Sequence, residues 1–271
     1  MSSAFGILRK RDPGTLNPFS GVELGTCYRP AFGDVEKDGD LDLVLGDSHG
    51  TLLYYENNGN ATAPEFIART GGANPFASVN VDSQSAPALF DADGDGNLNL
   101  AVGTANGTIV YYKNTGTAEL PVYNLAVSPF AYVDAYANSA PAFGDLNNDG
   151  SPELLVGGIN AYDQGSCFYY ESATSEFVAR TGSANPFNEI NVGRDGSPAF
   201  VDLDGDHDLD LVVGESIYGV LIYLENAGNS TTPVFAQKSG SANPFDGIDV
   251  GYWTTPALAD IDGDGTLRRC P

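Results

Sequence analysis

The sequence predicts an all-β fold, a β-propeller of four-stranded blades, and three observations carry that prediction. One acidic motif recurs with its first aspartate at Asp34, Asp91, Asp145, Asp202 and Asp260, at intervals of 57, 54, 57 and 58 residues. Within each interval lie short runs rich in Val, Leu and Tyr, bounded by Gly, Asn and Pro, which is the composition of strands. No stretch keeps a 3.6-residue apolar period for three turns, and 33 Gly with 16 Pro disfavour long helices. Evenly spaced units of four short strands fit a propeller blade, whereas β-rich solenoid repeats run to roughly 20–30 residues.

Each unit reads in the same order. A Pro-Ala-Phe or Pro-Ala-Leu lead-in (Pro30, Pro87, Pro141, Pro198, Pro256) opens the first strand, and the acidic loop follows. The second strand is a run such as Leu41-Asp42-Leu43-Val44-Leu45-Gly46 or Leu209-Asp210-Leu211-Val212-Val213-Gly214. A Gly turn leads into an aromatic third strand, as in Leu52-Leu53-Tyr54-Tyr55, and a Pro-x-Phe segment forms the fourth (Pro64 to Phe66, Pro233 to Phe235). A linker with Asn-Pro-Phe starts the next unit at Asn74, Asn185 and Asn243, with Ser128 in place of Asn in the third. The 271 residues form one domain of partial and whole units: 1–29 partial, 30–86, 87–140, 141–197, 198–255 and 256–271 partial. That is about five blades' worth of chain. The repeat breaks off at Leu267-Arg268-Arg269-Cys270-Pro271, so the expectation is an incomplete ring, with closure as an imperfect five-bladed ring the alternative. An open arc would expose blade edges through which copies could self-associate.

Composition narrows the partners. Twelve Lys and Arg face 36 Asp and Glu, a net charge of −24, which disfavours nucleic acid and anionic membranes. No apolar run approaches 18 residues, so no membrane insertion is expected. Three cysteines, Cys27, Cys167 and Cys270, suit neither a disulfide framework nor a Cys-x-x-Cys zinc site.

The acidic loops carry the candidate chemistry. Oxygen-bearing side chains stand at alternate positions: Asp34, Glu36, Asp38, Asp40 and Asp42 in loop one; Asp91, Asp93, Asp95, Asn97 and Asn99 in loop two; Asp145, Asn147, Asp149, Ser151 and Glu153 in loop three; Asp202, Asp204, Asp206, Asp208 and Asp210 in loop four; Asp260, Asp262 and Asp264 in loop five. Alternation of this kind wraps oxygens around a hard cation, and Ca²⁺ takes 6–8 of them. The cation cancels the repulsion among clustered carboxylates. Mg²⁺ fits less well because it keeps its waters. An EF-hand is excluded, since it needs Glu at position 12, where this chain has Leu45, Val102, Val156 and Val213. Position 6 calls for a left-handed residue. Gly39, Gly96, Gly150 and Gly265 supply it, and His207 stands there in loop four at an expected cost of ~1 kcal/mol. In loop five, Arg268 at position 9 opposes a cation.

The Phe32-Gly33 and Phe143-Gly144 pairs, the Asp-x-Asp-x-Asp-Gly-like loops and the following Leu-Val-Val-Gly strands resemble FG-GAP repeats, also called VCBS-type repeats. That resemblance implies a calcium-bearing β-propeller, as in integrin α-chains. The repeat length, Asn-Pro-Phe linkers and Tyr-Tyr-Glu-Asn strands further resemble the Psathyrella velutina type of mushroom lectin. Those are seven-bladed propellers that bind N-acetylglucosamine or sialylated glycans. The resemblance spans about residues 17–267. It implies a calcium-stabilised, non-catalytic lectin whose metal loops are structural.

A sugar site needs an apolar platform with directed polar groups, and the candidates are Phe76, Phe187, Phe245 and Trp253 in the linkers. The bland reading of such rings is blade packing. Two other classes stay in view: an integrin-like adhesion propeller, and a glycan-active enzyme using paired carboxylates. Against an enzyme, the chain has only two histidines, His49 and His207, and most of its carboxylates are accounted for as cation ligands. Calcium loops favour an extracellular setting, whereas the opening Met1 to Arg11 stretch reads as lacking a signal region. Asn60, Asn106 and Asn229 begin Asn-x-Ser/Thr sequons that would matter only after secretion.

Overall fold

A computed structural model describes residues 19, 28–133, 135–159, 165–173, 176–188, 190, 192–193, 195–261 and 268–270. Blade one consists of β1 (Arg29–Gly33), β2 (Asp42–Gly46), β3 (Leu52–Asn57) and β4 (Phe66–Arg69). Blade two has β5 (Ser85–Phe90), β6 (Asn99–Thr104), β7 (Ile109–Asn114) and β8 (Tyr123–Leu125). Blade three has β9 (Ala137–Gly144), β10 (Glu153–Ile159), β11 (Gly165–Ala173) and β12 (Glu176–Arg180). Blade four has β13 (Ser197–Val201), β14 (Asp210–Gly214), β15 (Leu221–Asn226) and β16 (Phe235–Lys238). Each is a four-stranded antiparallel meander in sequence order, and a last two-stranded sheet pairs β17 (Ala257–Ala259) with β18 (Arg268–Cys270). Among the described residues there is no α-helix, only three single-turn 3₁₀ segments in the linkers.

The first strands β1, β5, β9, β13 and β17 pack side by side around the axis. The second strands are buried along their whole length, save Ile159 at the end of β10, because apolar residues on both faces meet neighbouring blades. Two corrections to the sequence reading follow. Among the described residues there are four blades rather than about five, with β17 and β18 as a two-stranded remainder. The expected open arc is also not seen: β17 lies between β13 and β1, Thr255 Oγ1 donates to the Tyr28 carbonyl at 3.2 Å, and Ala259 and Ile261 join Leu43, Leu45, Tyr55 and Phe66 in one core cluster. Closure wins because blade one has an apolar flank that β17 covers.

Two devices join adjacent blades. In the first, a glycine at or near the end of each second strand lets the next blade's first strand approach. A Cβ on Gly46, Gly103, Gly157 or Gly214 would stand 2.1, 2.2, 1.9 or 2.2 Å from the carbonyl oxygen of Ser85, Ser139, Gly196 or Thr254. Ser139 Oγ, at this approach, accepts the Thr104 N–H at 2.8 Å and donates to the Thr108 carbonyl at 2.8 Å; Ser85 does the same with Asp47 and Thr51.

In the second, the linker phenylalanine keys into the following blade. Phe76 stacks on Tyr123 (4.5 Å between centroids), Phe130 on Phe177 (5.1 Å), and Phe19 on Phe66 (5.1 Å), while Phe187 lies against Phe235 at 4.5 Å. Asn74 fixes the ring by accepting the Phe76 N–H and donating to the Leu52 carbonyl, and Asn243 repeats this with Phe245 and Leu221. Ser128 replaces Asn and still accepts the Phe130 N–H. Phe76, Phe187 and Phe245 are therefore at most 2% exposed, which removes them as sugar platforms. Burial of that apolar area outweighs any value as a surface ring.

Candidate cation loops

The acidic loops connect the first and second strands of each blade and share one architecture. The position 1 carboxylate anchors the turn from below. Asp91 accepts the Gly94 and Gly96 N–H groups at 2.9 and 2.8 Å, and Asp202 accepts those of Gly205 and His207 at 2.8 and 3.1 Å. Asp34 and Asp145 each accept two N–H groups at positions 5 and 6. Position 5 caps position 7, as in Asp95 to the Asn97 N–H at 2.8 Å and Asp206 to the Asp208 N–H at 3.1 Å. Position 6 is left-handed as expected, with φ of 97, 80 and 87° at Gly39, Gly96 and Gly150 and 73° at His207. Position 4 is left-handed too, at Lys37 (58°), Gly94 (71°), Asn148 (57°) and Gly205 (83°), which the sequence reading missed. The Gly and Asn found there in three loops were the available signal.

Position 9 has a fold role. Asp42 is fully buried, accepting the Val35 N–H at 3.0 Å and the Asn57 N–H at 2.8 Å, so it ties the loop to the end of β3. Asp210 does the same with Leu203 (3.1 Å) and Asn226 (2.8 Å) and also accepts the Tyr223 hydroxyl at 3.0 Å. Asn99 accepts the Asn114 N–H, and the longer Glu153 accepts the Leu146 N–H and the Asn147 amide. The bolt should hold only with an acceptor present. Asp210→Ala is expected to cost about 2–4 kcal/mol in chemical denaturation, since buried donors lose their partner. Asp210→Asn, the residue type blade two carries at Asn99, is expected to cost about 1 kcal/mol or less.

Positions 1, 3 and 5 converge. Ligand oxygens of Asp91, Asp93 and Asp95 lie within 4.8 Å of one another, as do those of Asp202, Asp204 and Asp206. In loop one, Glu36 is instead engaged by the Tyr54 hydroxyl at 2.5 Å. At position 7, Asp40 and Asp208 are each 7% exposed, and the Oδ1 of each is buried without a hydrogen-bond partner. Burial first, then the neighbouring carboxylate (Asp38 or Asp206), pushes each of these carboxyls up to about 6. Burial raises Glu153 to about 7, and burial with a hydrogen bond to Glu36 raises Asp42. Crowding and desolvation thus make the anionic form of these carboxylates costlier than it is in water. The donor set is all hard oxygen, which fits a divalent cation of the Ca²⁺ type. Asp260 follows β17, while Asp262 and Asp264 lie outside the described residues.

On the opposite face, the β14–β15 turn packs on the following linker: Trp253 N–H donates to the Ser216 carbonyl at 3.0 Å and Val250 N–H to Gly219 at 3.1 Å. These two segments expose Tyr218, Tyr252 and Trp253, the last with φ of 65°. Cys167 is a buried thiol, which burial pushes up to about 12. The sequon residues Asn60 and Asn229 each use Oδ1 to accept N–H groups two and three residues on, organising the β3–β4 and β15–β16 turns.

The family model for FG-GAP-like repeats matches residues 91–156, which run from loop two into β10. Among solved structures, the chain is similar to an Agrocybe aegerita lectin described as specifically recognising non-reducing terminal N-acetylglucosamine. The identity is 15% and the TM-score 0.45, over 82% of this chain and 54% of that one, so this chain spans about half that protein's length. No curated protein sequence matches the chain.

Proposed function

We propose that this chain is a calcium-stabilised, non-catalytic propeller that binds carbohydrate. The observation that carries the calcium half is loop four, where Asp202, Asp204 and Asp206 converge beside the partnerless buried oxygen of Asp208. Asp202, Asp204, Asp206 and Asp208 would hold the ion there. Asp34, Asp38 and Asp40, then Asp91, Asp93 and Asp95, and then Asp145, Asn147 and Asp149 would do so in the other loops. Bound Ca²⁺ would neutralise clustered charge and stiffen the first hairpin of each blade. The match of residues 91–156 to FG-GAP-like repeats supports the same reading.

The carbohydrate half rests on the sequence resemblance and on the exposed rings of Tyr218, Tyr252 and Trp253. Asp249 lies in the same linker and accepts the Gly251 N–H at 2.9 Å. Aromatic faces beside polar groups suit a pyranose. N-acetylglucosamine-terminated and sialylated glycans are the classes to try. An adhesion propeller that binds protein is the second reading.

Two measurements test the proposal. Chelation with EDTA is expected to lower the melting temperature by several degrees, and added Ca²⁺ to restore it, because a ligand bound only to the native state stabilises that state. An unchanged melting curve would remove the calcium half. Trp253 is the sole tryptophan in the chain, so its fluorescence should shift on titration with N-acetylglucosamine or sialyllactose. No shift, together with a silent glycan array and intact calcium binding, would move the function to protein adhesion.

A further inference from the structure

Loop two differs from loop four in the cations that surround it. Near the end of the third strand, directly after its aromatic pair or Tyr-Leu, blades one, three and four carry Glu56, Glu171 and Glu225. Each pairs with a base on the fourth strand: Arg69 at 2.5 Å, Arg180 at 2.7 Å and Lys238 at 2.7 Å. Blade two carries Lys113 at this place, and its fourth strand, Tyr123–Leu125, holds no charged residue. Its ammonium reaches down to loop two and meets Asp93 Oδ2 at 2.7 Å. A second ammonium arrives from the neighbouring blade. Lys37, at position 4 of loop one, places its Nζ 2.6 Å from where a Cβ on Gly96 would stand. Both lysines act on Asp95, whose carboxyl sits below its usual range chiefly through the Asn97 N–H, with the two ammoniums adding to the effect.

Loop two therefore sets three carboxylates against two ammoniums. Loop four sets five carboxylates together, and among the described residues no lysine or arginine pairs with Asp202, Asp204, Asp206 or Asp208. The nearest base is the exposed His207, 3.7 Å from Asp202. Loop four also has the buried Asp208 oxygen with no partner, which loop two lacks because Asn97 stands at that position.

We infer that Lys113, assisted by Lys37, is a built-in counter-cation at loop two, so that a divalent cation fills loop four first and loop two only at higher concentration. This rests on the calcium reading above. Its physical basis is like-charge repulsion: an ammonium a few ångströms from a doubly charged ion weakens that ion's binding by about tenfold, even at the dielectric constant of water. A cation entering loop two must also displace Lys113 from Asp93.

The test is a calcium titration of the whole chain followed residue by residue in amide NMR spectra. The Gly94 and Gly96 amides, held by Asp91, report on loop two; the Gly205 and His207 amides, held by Asp202, report on loop four. In the wild type the loop-four midpoint is expected at lower calcium than the loop-two midpoint. Lys113→Gln should bring the Gly94 and Gly96 midpoint down by about tenfold and leave Gly205 and His207 where they were. Lys113→Arg, which keeps the charge, should preserve the wild-type order. Lys113 is half exposed, so neither change threatens the fold. A common midpoint for both loops, or a loop-two midpoint that Lys113→Gln does not move, overturns the inference while leaving calcium binding intact. If none of these amides responds to calcium, the calcium reading itself fails.

Discussion

Phe187→Ala is expected to destabilise the protein by about 3–5 kcal/mol, read as a shift in the midpoint of urea unfolding. The Phe187 ring is 2% exposed and lies against Phe235 at 4.5 Å, Tyr169 at 5.7 Å and Phe200 at 6.2 Å. It sits in one cluster with Leu155, Tyr169 and Val192 of the blade-three side and Leu211, Val213 and Leu224 of blade four. Truncation would remove the transfer energy of the ring and leave a cavity between two sheets that the backbone cannot readily collapse. Phe187→Leu should recover most of the loss, because it keeps apolar volume at the joint. If alanine costs less than about 1 kcal/mol, the linker ring is not the key between blades three and four.

Gly157→Ala is expected to cost about 3 kcal/mol or more, although it adds a single methyl group. The new carbon would stand 1.9 Å from the Gly196 carbonyl oxygen and 2.8 Å from Pro198 Cδ. The oxygen is backbone, so no rotamer change relieves the clash and the two blades must separate. The control is Gly72→Ala, where a Cβ meets nothing within 4 Å; it should lie within about 0.5 kcal/mol of wild type. Equal effects for the two substitutions would show that blade spacing does not depend on the second-strand glycine.

Much of the fold is legible in the sequence because the repeat fixes phase. Once Asp34, Asp91, Asp145 and Asp202 are aligned, strand order and the meander follow from local pattern alone. What the sequence hid is what depends on a neighbouring blade. Phe76, Phe187 and Phe245 look like candidate platforms in a linear reading, and only the packed blades make them core: Phe76 and Phe187 meet Tyr123 and Phe235 on the next blade's fourth strand, and Phe245 lies among Tyr223, Leu221 and Leu258. Gly46 reads as the last residue of a strand run, yet the constraint on it, as on Gly157, is the adjacent strand's carbonyl. Within the loops, alternation marks the oxygen donors but cannot separate Asp204, which faces its neighbours, from Asp210, whose oxygens hold backbone N–H groups. Lys113 escaped notice because its partner Asp93 is 20 residues away and in another strand-loop phase. Ring closure was misjudged for the same reason: the residues that decide it, Tyr28 and Thr255, are at opposite ends of the chain.

That seam bears on the order of assembly. Each blade can fold from one contiguous stretch, and each ordinary joint links stretches that are neighbours along the chain. The Tyr28–Thr255 contact spans 227 residues. Bringing its ends together costs about 1 kcal/mol more in chain entropy than joining adjacent blades. Docking of β17 on blade one should therefore be the last event in folding and the slowest, since contacts distant in sequence govern the rate. The same place is where native-state hydrogen exchange should find the earliest opening, ahead of any blade interior.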